Sequence, residues 1–267
     1  MLPPKSDDGA VVVTGASSGI GEQIAREFAR RGYRLILVAR RADRLRDLAE
    51  ELGGLAHVLP ADLSNRDDRA TLPDQVAALG VVADVLINNA GLTTVGPVAD
   101  SDPQAQLKLV EVDVAAVVDL CCRFLPDMVK RGRGAVLNVA SVGAFGPVPG
   151  QASYGAAKAF VLSYTQAMRE ELRGTGVIAA TLCPGPVKTG FGERAGIPDE
   201  EAEKSLPKFM WEDVDAVAKA AVDGLASGKG VIIPGAANRI MAVANHLLPR
   251  RLLLPMIARN HPGLKKA

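Results

Sequence analysis

Three side chains of this sequence stand at spacings that suit proton transfer to an oxygen atom. Tyr154 and Lys158 are four residues apart in a stretch, 152–172, that contains good helix formers and no proline, so both should lie on one helix face. A lysine ammonium beside a phenol favours the phenolate, because an opposite charge stabilises the ionised form. A tyrosine tuned in this way can exchange a proton with an alcohol or carbonyl oxygen near neutral pH. Ser141, thirteen residues before Tyr154 at the end of a predicted strand, can hold that same oxygen.

The alternative is an ordinary helix that carries a surface tyrosine and a surface lysine. Because this spacing arises by chance in many sequences, the upstream elements must decide between the two interpretations. A glycine-rich turn near the N-terminus favours a nucleotide site. An apolar β-branched run at 10–14 predicts a buried strand, and T-G-A-S-S-G-I-G leads from it into a helix predicted at 22–31.

The glycines of this turn have separate tasks. Gly15 permits the tight turn, Gly19 lets phosphates approach the backbone, and Gly21 lets the helix pack closely on the strand. The N–H groups of the first helical turn suit a pyrophosphate, whereas a plain βα turn is the alternative. The predicted contacts with the bound nucleotide here are Gly15, Ser17, Ser18, Gly19, Ile20 and Gly21.

Two arginines after the second predicted strand, 34–39, indicate which dinucleotide binds. The acidic residue that would hold the ribose 2′-hydroxyl of NAD is missing, and Arg40 and Arg41 stand in its place. Guanidinium groups suit the 2′-phosphate of NADP. Alternatively, both arginines are solvated residues that begin a helix. After the third predicted strand, Asp62 is expected to meet the adenine amino group, with Leu63 beside it.

The remaining chain continues the alternation of strand and helix. The predicted elements are a third strand at 55–59, a helix at 65–79, a strand at 83–87, a long helix at 104–130 bent around Asp113, strands at 134–140 and 177–182, a helix at 212–226 and a short strand at 231–233. Strict alternation predicts a single α/β domain with a doubly wound, Rossmann-type parallel sheet of about seven strands and helices on both faces. We divide the chain into a tail at 1–9, a catalytic domain at 10–235 with a substrate loop at 186–211, and a C-terminal extension at 236–267.

Composition sets the outer limits. The 267 residues are 48% hydrophobic with a net charge of +1, which argues against a polyelectrolyte and against a nucleic-acid partner. The three cysteines lack metal-ligand spacing, so we predict no metal site. We find neither a signal peptide nor an apolar run of about 18 residues, and therefore expect a cytoplasmic protein.

Taken together, these motifs resemble the short-chain dehydrogenase/reductase family, in its standard-length branch, over residues 10–235. The resemblance implies that Tyr154 is the acid/base, that Lys158 lowers its pKa and holds the nicotinamide ribose, and that Ser141 positions and polarises the substrate oxygen. NADP(H) would supply the hydride. The nicotinamide half would be held by Asn89, Ala90, Gly91, Tyr154, Lys158, Pro184, Gly185, Val187 and Thr189.

One position departs from the family pattern. Where the family has an asparagine that organises a water chain to the lysine, this sequence has Asp113 in V-D-V. A carboxylate keeps an acceptor, loses the amide donor and adds a charge that opposes Lys158, so we expect catalysis with a less depressed Tyr154 pKa. A non-catalytic NADP-binding sensor or scaffold is the alternative. A sugar-nucleotide epimerase fits poorly, because such relatives carry a longer C-terminal substrate domain.

The substrate and the assembly follow from apolar surfaces. Loops at 92–98 and 142–149 are mostly apolar, which favours a hydrophobic carbonyl or alcohol as the small-molecule substrate. The 104–130 helix is apolar nearly all round and the 152–172 helix has a small, apolar face away from Tyr154. Such helices must be buried on both sides, and in the family the matching helices pair between subunits. We therefore expect a homodimer or a homotetramer.

The C-terminal extension carries an uneven charge. From 224 to 267 there are seven basic residues and no acidic one, which leaves 24 basic against 30 acidic residues in the rest of the chain. One interpretation is that the extension folds over the substrate pocket or a partner subunit, with its arginines meeting the acidic main body. The other is weak peripheral contact with an anionic membrane. In both, its apolar side chains should border the pocket mouth.

Overall fold

The computed structural model describes residues 2–193 and 207–264. Seven parallel strands form one sheet in the order β3-β2-β1-β4-β5-β6-β7, which confirms the predicted doubly wound α/β fold. The strands are β1 (Gly9–Thr14), β2 (Arg34–Ala39), β3 (Ala56–Pro60), β4 (Val82–Asn88), β5 (Gly134–Val139), β6 (Val177–Leu182) and β7 (Val231–Ile232).

Helices cover both faces of the sheet. They are α1 (Gly19–Arg30), α2 (Ala42–Glu51), α3 (Arg66–Ala78), α4 (Pro103–Val110), α5 (Ala116–Arg131), α6 (Ala152–Glu171), α7 (Val214–Ala226), α8 (Ala236–Leu247) and α9 (Arg250–Asn260). Most boundaries lie within two residues of the predicted ones. Helix α1 differs, because it begins at Gly19 and so includes the last glycines of the turn.

Each face of the sheet has its own hydrophobic core. On one face α3, α5 and α6 pack over side chains such as Leu86 and Val136. On the other, α1, α2 and α7 pack over side chains such as Val13 and Leu35. Central strands buried on both faces carry continuous apolar runs, which is why the sequence shows no alternation there.

The long helix predicted at 104–130 is interrupted at Asp113, as the predicted bend implied. A π-helical turn, Glu111–Ala115, separates α4 from α5. Arg69 braces this turn from α3, because its buried guanidinium donates to Glu111 Oε1 at 2.6 Å and to Asp119 Oδ2 at 2.9 Å. π-turns inside α-helices are frequent at functional sites.

The C-terminal extension folds back onto the domain. Ala242 of α8 and Leu253 of α9 are buried, and Asn238 Nδ2 donates to the Met210 carbonyl at 3.1 Å. His261 lies against the turn that precedes α6. Among the residues that the structure describes, no helix is long and apolar enough to cross a membrane.

Candidate active site

Tyr154 and Lys158 share one face of α6, as their spacing predicted. Lys158 Nζ lies 5.7 Å from the centre of the Tyr154 ring and donates to the Val139 carbonyl at the end of β5, 3.2 Å away. The lysine is buried and the tyrosine half-buried. This arrangement holds a positive charge beside the phenol.

Ser141 reaches the same place from the end of β5. Its Oγ accepts from the Gly143 backbone N–H at 3.0 Å, which leaves the hydroxyl hydrogen free to donate elsewhere. The side chain also interacts with the Tyr154 phenol. The backbone N–H of Val142 donates to the Pro184 carbonyl at 3.0 Å, so the segment after β6 supports the serine turn.

Asp113 completes the cluster. Its side chain is fully buried, and Oδ2 lies 2.9 Å from Lys158 Nζ while Oδ1 accepts from the Leu92 backbone N–H at 2.7 Å. Gly91 packs against this ion pair, and a Cβ there would lie 3.1 Å from Asp113 Oδ2 and 3.2 Å from Lys158 Nζ. Glycine at this position therefore makes room for the pair.

Burial and charge act together on the three titrating groups. Burial raises the pKa of Asp113, against the opposing effect of Lys158. Burial disfavours the Lys158 ammonium, yet Asp113 and Tyr154 raise the lysine pKa above its usual value. Burial also raises the pKa of Tyr154, which Lys158 and Ser141 oppose and Asp113 reinforces. The expected lowering of the tyrosine pKa is thus not found in the protein alone, because burial outweighs the lysine.

The glycine turn adopts the conformation that its sequence predicted. Gly15 and Gly19 have φ angles of 65° and 62°, where a side chain would be strained. A Cβ on Gly19 would also lie 3.0 Å from Cβ of Thr189. The first turn of α1 has no side-chain cap from Ser18, so its backbone N–H groups remain suited to phosphate.

The end of β4 is tied to this turn through Thr14. Its Oγ1 accepts from the backbone N–H groups of Asn89 and Ala90 at 3.0 and 3.1 Å, and Asn89 Nδ2 donates to the Thr14 carbonyl at 2.9 Å. A Cβ on Gly21 would collide with Asn89. Thr14 was noted only as the first residue of T-G-A-S-S-G-I-G, and this bracing role was not predicted.

The two arginines after β2 have different neighbours. Arg41 Nη2 donates to Ser17 Oγ at 3.0 Å and Ser18 Oγ at 2.8 Å, so its guanidinium lies over the glycine turn. Arg40 is exposed and faces Asp62. Burial alone would raise the pKa of the Asp62 carboxyl, but its hydrogen bonds with Ser64 and the charge of Arg40 have the larger combined effect, so this pKa lies below its ordinary value. Both cations border the region where β2 and β3 end.

Other predicted site residues lie farther along the cleft. Leu63 is buried, and its carbonyl accepts from Arg69 Nη1 at 2.7 Å. Val187 forms a parallel bridge to Glu212, and Gly185 packs against Asn238 with no room for a side chain. Part of the predicted substrate loop at 186–211, residues 194–206, lies outside the described residues.

A chain of hydrogen bonds from His261 through Gln151 to Thr93 was not predicted. We call it the mouth chain, because Thr93 belongs to the 92–98 loop that is expected to flank the mouth of the substrate pocket. His261 Nδ1 accepts from the Gly263 backbone N–H at 3.2 Å, which assigns the ring hydrogen to Nε2. Nε2 then donates to Gln151 Oε1 at 3.1 Å, and Gln151 Nε2 donates to Thr93 Oγ1 at 2.8 Å. No local pattern signals such a contact, because 110 residues separate Gln151 from His261.

The chain is similar to known proteins in sequence and in fold. Residues 9–198 match the sequence profile of the family described as short chain dehydrogenase. The sulfoacetaldehyde reductase 2 of Chromohalobacter salexigens is 38% identical over 185 residues, which cover 68% of this chain and 73% of that protein.

Two solved structures are similar over most of their length. A short-chain dehydrogenase from Sphingobium yanoikuyae in complex with NADPH has 34% identity and a TM-score of 0.79, covering 92% of this chain and 95% of that one. The bulky-bulky ketone specific alcohol dehydrogenase from Comamonas testosteroni has 29% identity and a TM-score of 0.74, covering 97% and 93%. With the profile match, these similarities establish that the chain belongs to the short-chain dehydrogenase/reductase family of NAD(P)-dependent oxidoreductases.

Proposed function

We propose that this protein interconverts a carbonyl and an alcohol with NADP(H), using Tyr154 as the acid/base. The observation that carries the proposal is the position of Lys158 Nζ, 5.7 Å from the tyrosine ring centre and 2.9 Å from the buried carboxylate of Asp113. A plain surface tyrosine and lysine would have no reason to be buried together. A non-catalytic scaffold would not need Ser141 aligned with them.

The side chains divide the work of a carbonyl reduction as follows. Ser141 accepts from the Gly143 N–H and can donate its own hydrogen to the substrate oxygen, which orients and polarises the carbonyl. Tyr154 donates a proton to that oxygen as negative charge develops on it. Lys158 stabilises the resulting phenolate by its charge. The nicotinamide, when bound, supplies the hydride, or accepts it in the reverse direction.

The fit of a dinucleotide rests on three features of this chain. The glycine turn keeps the backbone of Gly15 and Gly19 open, and α1 offers its first N–H groups to a pyrophosphate. Arg41, anchored on Ser17 and Ser18, and Arg40 border the end of β2, where the adenosine ribose binds in this fold. Two guanidinium groups directly after β2, in place of an acidic residue, favour the 2′-phosphate of NADP.

An apolar substrate is favoured by apolar side chains beside the catalytic tyrosine and serine. The Phe191 ring lies 6.0 Å from that of Tyr154, and Val142, next to Ser141, is a buried apolar residue. These apolar neighbours suit a bulky ketone, as in the name of the Comamonas testosteroni alcohol dehydrogenase. They suit less well an anionic compound such as the sulfoacetaldehyde in the name of the Chromohalobacter salexigens reductase. We therefore propose a ketone or aldehyde with bulky apolar substituents.

A substrate and cofactor panel tests these assignments. Aryl and aliphatic ketones would be compared with sulfoacetaldehyde, each with NADPH and with NADH, by following nicotinamide absorbance. We expect turnover of apolar ketones with NADPH. Turnover of sulfoacetaldehyde alone would overturn the substrate class but keep the chemistry. Tight NADPH binding without turnover of any carbonyl or alcohol would support the scaffold alternative.

We also propose a homodimer or homotetramer, because apolar side chains remain exposed on the helices that were expected to pair. Leu107 and Val110 of α4 and Phe160 of α6 are 62%, 42% and 41% exposed. Pairing of these helices between subunits would bury them. Light scattering at micromolar protein concentration tests this, and a monomer mass would contradict it.

A further inference from the structure

Helix α8 turns its large apolar side chains toward solvent. Ile240, Val243 and Leu247 lie on one stripe of the helix and are 71%, 57% and 74% exposed. The opposite face, with Asn238 and Ala242, is buried against the domain. The helix is thus anchored through small and polar residues and presents its apolar side outward. Single exposed apolar residues are ordinary, whereas a contiguous stripe marks a contact surface.

Basic residues flank this stripe along the chain. Arg239, Arg250, Arg251 and Arg259 are exposed. Across residues 2–193 and 207–264, none of the four forms an ion pair with a carboxylate, so their expected pairing with the acidic main body is not observed among these residues. The sequence has no acidic residue from 224 onward. The extension therefore combines exposed apolar side chains with an excess of positive charge.

An apolar cavity opens beside the same stripe. Its volume is about 830 Å³, and Val243, Leu247 and Arg250 line it together with the face of α6 that carries Ala152 and Ala156. The catalytic side chains do not line it, since it lies on the side of α6 turned away from Tyr154. Among the described residues that line it, Arg250 is the one that carries a charge. Because Val243, Leu247 and Arg250 line one cavity, the exposed stripe of α8 and the first turn of α9 face the same side of the molecule.

We propose that the outward face of α8 and the start of α9 dock onto an anionic membrane surface. In this arrangement Ile240, Val243 and Leu247 enter the headgroup region, while Arg250 and Arg251 contact lipid phosphates. Apolar burial and attraction to anionic lipid together determine the binding of such interfacial helices.

A second copy of the chain fits this surface less well. Most homodimers pair the same patch on both subunits. A twofold contact through this face would bring Arg250 and Arg251 of one subunit close to the same residues of the other, without a local carboxylate to compensate them. An anionic lipid surface has the complementary charge.

Vesicle co-sedimentation of the full chain tests the proposal without any activity readout. The vesicles would be phosphatidylcholine alone, or phosphatidylcholine with one-third phosphatidylglycerol, at low and at physiological salt. We expect binding to the anionic vesicles that weakens as salt screens it. Arg250→Gln with Arg251→Gln should reduce partitioning about 30-fold, and Val243→Ser with Leu247→Ser should abolish it.

Leu55→Ser provides the matched control. Leu55 is 36% exposed and stands just before β3, at the sheet edge opposite β7, so its replacement should leave vesicle binding unchanged. All variants remove exposed side chains, and circular dichroism would verify their folding. Failure of the wild type to bind anionic vesicles at low salt would overturn the proposal. An equal loss of binding in Leu55→Ser would also overturn it, and so would a lower mass of Val243→Ser with Leu247→Ser in light scattering if the wild type does not bind vesicles.

Discussion

Asp113 Oδ2 and Lys158 Nζ form a buried ion pair at 2.9 Å, directly behind the tyrosine that we propose as the acid/base. Desolvation of two charges is costly, and their pairing offsets much of that cost. The carboxylate keeps the lysine protonated and at the same time opposes its effect on Tyr154. Asp113 therefore moderates the activation that Lys158 provides.

The first prediction concerns Asp113→Asn. Removing the carboxylate charge leaves the Lys158 charge unbalanced, so the pKa of Tyr154 should fall. Alcohol oxidation needs the phenolate, which then forms at lower pH, and the rising limb of the oxidative pH profile should move to lower pH. Measuring kcat against pH with NADP+ checks this. Asp127→Asn, at an exposed carboxylate of α5, serves as the control, and a shift to higher pH would contradict the assigned role.

The second prediction separates Tyr154 from Lys158. Tyr154→Phe removes the transferable proton and should lower kcat by about 10² to 10⁴-fold, with NADPH affinity nearly unchanged. Lys158→Ala should damage both turnover and cofactor affinity, because the lysine is proposed to hold the ribose as well. Steady-state kinetics and fluorescence titration measure the two effects. Retention of most of the wild-type rate by Tyr154→Phe would exclude it as the acid/base.

The third prediction concerns cofactor choice. Arg41→Ala should weaken NADPH binding about tenfold or more, equivalent to about 1.4 kcal/mol, because a charge-assisted hydrogen bond to phosphate is lost. NADH binding should change little, and Arg40→Ala should act in the same direction. Fluorescence titration with both cofactors checks this. Arg46→Ala, on the exposed side of α2, is the control, and equal losses for NADPH and NADH would contradict the 2′-phosphate role.

The fourth prediction concerns the mouth chain from His261 through Gln151 to Thr93. His261→Ala removes the donor to Gln151 and should raise KM several-fold with little change in kcat, whereas His261→Gln should restore KM because its amide can donate in the same place. Burial lowers the pKa of His261 below its usual value. The contact in which neutral Nδ1 accepts from the Gly263 N–H should thus persist near neutral pH and be lost as pH falls through the pKa of His261 in the folded protein, which loosens the position of the ring.

The pH dependence of KM provides a second test of this prediction. Wild-type KM should rise at acidic pH when the ring becomes protonated on Nδ1, which faces the Gly263 N–H. That rise should be absent in His261→Gln, which does not titrate. Equal KM values for the wild type and His261→Ala at neutral pH would show that the chain does not position the mouth.

Local geometry explains what the sequence revealed. The shared face of Tyr154 and Lys158 follows from helix periodicity, and the conformations of Gly15 and Gly19 follow from the spacing of the glycines. The parallel sheet with helices on both faces follows from the alternation of strands and helices. In each case the determining contacts lie close together in the sequence.

The features that the sequence did not reveal depend on contacts between distant segments. The ion pair between Asp113 and Lys158 depends on a π-helical turn, and no residue pattern fixed its start or end. The contact of His261 with Gln151 depends on the path of the whole extension. The raised pKa of Tyr154 depends on its burial, a property of the assembled pocket. The extension was expected to border the pocket mouth with apolar side chains, which stays a prediction, and its contact through a histidine was not foreseen.

The π-helical turn at Glu111–Ala115 has a consequence for anyone who redesigns or transplants this enzyme. A π-turn accommodates one residue more than the regular helix, and each residue of an α-helix rotates the next by about 100°. Deleting Val112 would therefore restore a regular helix and carry Asp113 away from Lys158 without altering any of the four residues of the proposed catalytic cluster. The contact between Asp113 and Lys158 depends on the number of residues in a helix as well as on their identity.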